Sequence, residues 1–339
     1  MSTFDGNNHY FSGQGVIMIG KRDLEGKPAG LEPVGNVSDL KISIATTSLE
    51  HKESQTGQRG IDLRLTTETK ATLSATLENY VAKNLQLALR GDLTEKSAGT
   101  VSAEAPKNYF GKISPLKYVA VNTLVVQRGA VSLTPYVDDV TPYDYKANLS
   151  AGSVLINDGA KTLLTANSTT GGVVPTAITV GADTTIVVAN TAKVGDRVAL
   201  AGFAGADAAI LNNKAHRIVT ATASQITIET DTLGKTITIG VPLAMFDGAA
   251  LNIAYSYAGQ NLIEALTQGA QERYLRFEGL NTADDFAPVV VEVFKFVEDP
   301  TKDLSLIGDG IGQFVLEGNV LADPLQSTGS KYFKQTLLR

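Results

Sequence analysis

Histidine, cysteine and closely spaced carboxylates are the side chains from which most hydrolytic and metal-dependent sites are built. This chain of 339 residues holds three histidines and no cysteine. The lack of cysteine removes thiolate nucleophiles, thiolate metal sites and disulfides together. His51 sits in the polar run TTSLEHKESQTGQRG, residues 46–60, flanked by Glu50 and Lys52, with Glu53 following. A general base there needs a nucleophile or substrate proton within hydrogen-bond reach, and no serine or cysteine motif supplies one. His9 and His216 fall in other segments. Asp138–Asp139, Asp284–Asp285 and the EDPTKD run at 298–303 carry enough charge for calcium. They lack the alternating ligands and the glycine of a calcium loop, so they read as acidic turns. GQGVIMIG places Gly13 and Gly15 as in a dinucleotide fingerprint, but Met18 stands where the third glycine belongs and a turn-rich loop follows instead of a helix. No catalytic, cofactor-binding or metal-ligating residue is assigned, and the sequence reads as a non-enzyme.

The same polar run raises a structural question. VSDLKISIA before it reads as a strand, and so does IDLRLTTETKATLSATLE after it, so residues 46–60 read as a loop far longer than the two to five residues a hairpin needs. In the second strand, residues 61–78, odd positions are Ile61, Leu63, Leu65, Thr67, Thr69, Ala71, Leu73, Ala75 and Leu77. Even positions are Asp62, Arg64, Thr66, Glu68, Lys70, Thr72, Ser74, Thr76 and Glu78. This is alternation at period two, with an apolar-leaning core face and a polar face. At ~3.3 Å per residue the strand would approach ~60 Å, so it must bend or run past its own domain. LENYVAKNLQLALRGD then shifts to helical spacing, with Gly91 at the expected stop. Further strands are expected at 117–127, 130–136, 144–149, 250–257, 273–279, 288–298 and 313–320, and a short helix at 260–270.

Hydrophobic residues make up 43% and charged residues 19%, a globular composition. Net charge is −6, which argues against gripping nucleic acid through phosphates. The first residues, MSTFDGNNHYF, carry neither a basic run nor an apolar core, so no signal peptide is read and the triplets at Asn36, Asn148 and Asn167 carry no weight as glycosylation sites. No apolar run approaches the ~20 residues of a membrane span. Between Tyr145 and Phe246 the only aromatic is Phe203, against 22 in the whole chain. With loop-like flanks on both sides, this change points to a small all-β module at 170–241 inserted into a discontinuous domain of 1–169 and 242–339.

The order of features resembles the major tail tube proteins of long-tailed bacteriophages. The stretch from YFSGQGVIMIG through VGNVSDLKIS, the charged EHKES loop and the alternating strand to NLQLALRG matches the N-terminal half of that family. RYLRFEGLNTADDFAPVVVEVFKFVEDPTKDLSLIGDGIGQFVLEGNVLADP looks like its second half. The resemblance implies a mainly β fold of two packed antiparallel sheets, a β sandwich or barrel, with a flanking α-helix and the small β domain added. It implies hexameric rings whose sheets continue into one closed barrel, stacked into a tube that conducts DNA without binding it specifically. The implied partners are further copies of the chain, a tape-measure protein, and tail terminator and tail-tip proteins, with no cofactor and no membrane. The implied location is the virion, after synthesis in the host cytoplasm.

In that family the long loop reaches the adjacent ring, which makes Glu50, His51, Lys52, Glu53 and Arg59 the inter-ring candidates. The polar face of the long strand makes Asp62, Arg64, Glu68, Lys70 and Glu78 the lumen candidates. Because that face is mixed in sign, the acidic balance must come from elsewhere, with Glu292, Glu317 and Asp323 as candidates. Two other readings stand beside this one: the tube protein of a contractile or type VI secretion system, and a β-sandwich adhesin or glycan-binding module. The absence of tryptophan, the usual stacking platform, counts against the last.

Overall fold

A computed structural model describes residues 10–55, 57–159 and 172–337. His9, Asn167 and most of the segment preceding the aromatic-poor module lie outside them. The chain opens with β1 (Gly13–Lys21), β2 (Glu32–Pro33), β3 (Val37–Lys52) and β4 (Ile61–Leu77), then helix α1 (Ala82–Leu89) and β5 (Asp92–Lys96). Next come β6 (Gly99–Glu104), β7 (Ile113–Pro115), β8 (Val121–Arg128), β9 (Val131–Ser132), β10 (Tyr145–Asn148) and β11 (Ser153–Ile156). They are followed by β12 (Ala177–Thr179), β13 (Thr184–Val187), β14 (Arg197–Ala201), β15 (Lys214–Thr222), β16 (Gln225–Ile228), β17 (Leu243–Phe246) and β18 (Asn252–Tyr257). The last are β19 (Gln260–Glu264), β20 (Glu272–Asn281), β21 (Ala287–Asp299), β22 (Phe314–Val320) and β23 (Phe333–Leu337). The protein is mainly β, and its strands form several antiparallel sheets that do not close into a barrel.

The chain divides into two compact units, Met1–Glu95 with Asn261–Arg339, and Lys96–Gln260. The first is organised on one eight-stranded sheet, in the order β2-β1-β20-β21-β22-β4-β3, with β23 beside β21. Its core is formed by Ile17, Leu73, Leu77, Leu275, Val293, Phe296, Phe314 and Leu316, covered by Leu87 and Ala88 of α1. The odd face of β4 is therefore the core face, as the alternation requires, but only from Ala71 onward. Asn84 on α1 is buried because its side chain donates to the carbonyls of Val34 (2.7 Å) and Asn79 (2.9 Å), which ties the helix to the chain ahead of β3. The helix ends on Arg90, which takes the left-handed conformation (φ 46°), rather than on Gly91. Gly91 answers a different need: a Cβ there would lie 2.6 Å from the carbonyl oxygen of Glu264.

Two local expectations fail. QNLIEALTQGA is not a helix; Gln260–Glu264 is a strand that pairs with β5. A short run of mixed propensity yields to the ladder available to it, because tertiary context overrides weak local preference. Residues 46–60 are not a long loop either. β3 continues to Lys52 against β4, and only 53–60 connect them.

The second unit holds a six-stranded sheet, β12-β13-β16-β15-β14-β17, around Ile186, Val198, Leu200, Ile218, Ile226 and Ile228. A second cluster, with Phe110, Val126, Tyr145, Ile156, Ile253 and Tyr255, lies with the sheets β6-β18-β8-β9 and β10-β11-β7. The aromatic-poor segment thus has a core of its own, built from β-branched side chains. Its sheet is completed by β17, beyond residue 241, and Ala199 of β14 packs into the second cluster.

His216 on β15 is buried between the Leu211 carbonyl (Nε2, 2.9 Å) and Thr230 Oγ1 (Nδ1, 2.8 Å). Nε2 donates to the carbonyl, so Nδ1 accepts from the hydroxyl, and the neutral ring satisfies both partners. Burial pushes its pKa below the ordinary value, opposed by the Leu211 hydrogen bond and assisted by Lys214. Because the folded state holds the neutral form, this contribution to stability is complete above about pH 6.5 and is lost as pH falls toward the depressed folded value. Thermal denaturation at pH 7.5 and 5.0 should show a drop in the wild type that His216→Gln largely abolishes. Equal drops in both proteins would assign the acid sensitivity to other groups.

Candidate functional site

β4 outruns the sheet that holds it. Residues Ala71–Leu77 pair with β3 on one side and with β22 on the other. Residues 61–70 pair with β3 alone, so about 30 Å of two-stranded ribbon extends past the end of β22. Register shifts between Thr47 and Ser48 and between His51 and Lys52 break the ladder in this arm. Such irregularities increase local twist and discourage indiscriminate pairing along an open edge. At the tip the Glu53 N–H donates to the Gly60 carbonyl (2.8 Å), Glu53 caps Gln55, and Gly57 and Arg59 take positive φ.

Each register shift skips one residue of β4, first Thr67 and then Asp62, so the side-chain alternation of β4 changes phase twice along the arm. One face presents Leu49 opposite Leu65 and His51 opposite Leu63, while Ile44 and Ile61 fall on the other; Ile61 and Leu63 are 56% and 59% exposed, whereas Leu73, further along β4 and inside the sheet, is 1% exposed. The sequence assigns all the odd positions to one core face, but the core covers only their second half. The signal that separates the halves is length: β22 has 7 residues against 17 in β4, so the partner strand cannot reach Ile61.

The polar side chains of the arm are laced together. Arg64 Nε donates to Ser48 Oγ (3.0 Å) and lies 3.9 Å from Glu50, and His51 Nδ1 is 2.6 Å from Asp62 Oδ1. The His51 hydrogen bond holds the Asp62 carboxyl below the usual carboxylate range. Glu50, His51 and Lys52 lie on β3, and Glu53 and Arg59 in the connection. Asp62, Arg64, Glu68 and Lys70 lie opposite on β4. The inter-ring and lumen candidates are therefore neighbours on one arm. Glu78 is apart, beyond the end of β4, where Gln313 Nε2 donates to it (3.0 Å).

The three acidic residues offered to complete the wall charge are all engaged. Asp323 cannot line a channel: it is 0% exposed and pairs with Arg22 at 2.8 Å. Glu292 lies between Arg276 (2.7 Å) and Lys334 (2.9 Å), and Glu317 pairs with Lys302 (2.6 Å). Asp138 accepts from the backbone N–H groups of Val140 (2.9 Å) and Thr141 (2.6 Å), the work of a turn residue. Among the described residues no group of three His, Asp or Glu side chains is arranged to hold a metal. No helix among them is long and apolar enough to cross a membrane.

The sheet architecture defines the class: a mainly β, antiparallel protein with a two-stranded ribbon that outruns its sheet. The model of the family described as protein of unknown function UCP028589 matches residues 10–178 and 158–336, and the chain belongs to that family. No curated protein matches the chain.

Proposed function

We propose that this chain is a structural, non-enzymatic subunit that self-assembles into stacked hexameric rings, the tail tube of a long-tailed bacteriophage, through which DNA passes into the host. The observation that carries the reading is the arm, a ribbon beyond its own sheet that leaves Ile44, Leu49, Ile61, Leu63 and Leu65 exposed, with Leu49, Leu63 and Leu65 together on one face. An apolar face of that size left in water favours a partner, and its place at the end of a sheet suits an open-ended, head-to-tail contact. Two further features support it. The eight-stranded sheet has an open edge along β3, and continuing sheets from copy to copy into a closed barrel removes such edges. The polar side chains of the arm, mixed in sign, offer DNA no dense row of cations for counterion release. In this reading the 170–241 module lies outside the tube wall. Tape-measure, tail terminator and tail-tip proteins are the further partners, and the virion is the location.

Negative-stain electron microscopy of the purified protein after prolonged concentration tests this. Rings or tubes are expected; monodisperse monomers at every concentration would overturn the reading and favour an adhesin or glycan-binding module.

A further inference from the structure

We infer that the apolar face of the arm seats on one particular element of a second copy, the loop 300–313 between β21 and β22. The inference rests on the self-assembly reading and names the surface that meets the arm. Three observations carry it.

The loop sits at the far end of the same strand. Phe314, which opens β22, pairs with Leu77, Gln313 donates to Glu78, and the rings of Tyr80 and Phe314 meet edge to face at 5.6 Å. Ile61 is sixteen residues away along β4, about 53 Å. An arm cannot reach the loop of its own chain, so joining the two surfaces requires another copy. Because they lie at opposite ends of one sheet, the contact repeats without closing.

The loop is apolar where a loop has no reason to be. Leu304 packs against the core and anchors it, whereas Leu306, Ile307 and Ile311 are exposed, Ile307 at 98%. Gly308 and Gly310 alternate with these residues, and a Cβ at Gly310 would meet nothing within 4 Å and at Gly308 only Ser305 Oγ at 3.7 Å. No packing within the chain demands glycine there. A backbone free of side chains lets a second chain approach closely and lets the loop adapt to it.

The charges are complementary. Lys52 and Arg59, near the tip, have no ion pair among the described residues, and neither has Asp309 in the loop. An apolar contact flanked by opposite charges fixes the register of docking.

The chain's lack of cysteine allows a direct test, since each introduced thiol is unique. Leu63→Cys and Ile307→Cys copies are mixed, assembled and treated with a short bismaleimide. Both positions are exposed, and circular dichroism checks that the variants fold. Mass spectrometry of the linked peptides is expected to find residue 63 joined to residue 307 at least ten times as often as either residue joined to itself. The double variant should give a ladder of multimers. Tubes that form without the 63–307 link, or with 63–63 links dominant, overturn the docking and leave the tube reading standing. Heterologous links without tubes support the docking and sink the tube. Neither links nor tubes overturns both.

Discussion

A protein in which residues 47–68 are replaced by Asn-Gly is expected to fold normally and to form no tubes. The cut leaves Thr46 opposite Thr69, an existing ladder pair, so a two-residue turn closes the shortened hairpin where the strands are already adjacent. What is removed is exposed on both faces and touches none of the core formed by Ala71, Leu73, Leu77, Phe314 and Leu316. The lost ribbon carries the apolar face and the tip charges, so a contact that depends on them disappears rather than weakens. The midpoint of thermal unfolding should stay within a few degrees, since closing a loop of different length changes stability by only about 0.6 kcal/mol per doubling. Polymer yield, read by sedimentation and microscopy, should fall at least a hundredfold. Normal tubes from the shortened chain would remove the arm from assembly altogether.

Asp323→Asn is expected to act in the opposite way, on the fold. Arg22 follows β1 and Asp323 follows β22, so their 2.8 Å pair joins segments distant in sequence. Both side chains are buried, at 6% and 1% exposure, and Glu272, the other partner of Arg22 (3.0 Å), is half exposed. Removing one member of a buried pair leaves the other desolvated and uncompensated, which costs about 3–5 kcal/mol. Glu272 remains, so the lower end applies. For a domain of 150–250 residues each kcal/mol corresponds to about 2–4 °C, so a loss of about 3 kcal/mol lowers the melting point by roughly 6–12 °C. The double change Arg22→Met with Asp323→Leu should recover most of this, because it leaves no orphan charge. A shift below 2 °C for Asp323→Asn alone would mean that the pair contributes little.

The sequence by itself determined the β class, the long alternating strand, the helix that follows it and the special character of residues 46–60. Each is a local matter: period two over Ile61–Leu77, helical spacing through Leu85 and Ala88, and a concentration of charge around His51. It also marked 170–241 as different in composition, because the loss of aromatics is a signal that needs no contacts to be seen, while the folded chain carries that segment's sheet on into β17. It could not say where along β4 the core ends. Leu63 and Leu73 are the same residue type at positions of the same parity; the length of β22 and the register shift at Thr67 leave one in water and bury the other, and both matter only once the strands are paired. The same limit hid the strand in residues 46–52, whose polar side chains carry no core-facing alternation and are held in the ladder by β4. It hid the burial of Asp323, which depends on Arg22 some three hundred positions away in the chain. It hid the loop 300–313 as a surface, since Leu306, Ile307 and Ile311 resemble core residues until the packing around Leu304 and Phe314 leaves them outside. Alternation and composition act between neighbours in sequence, whereas exposure is decided by how far each partner strand extends, and only the folded chain sets that.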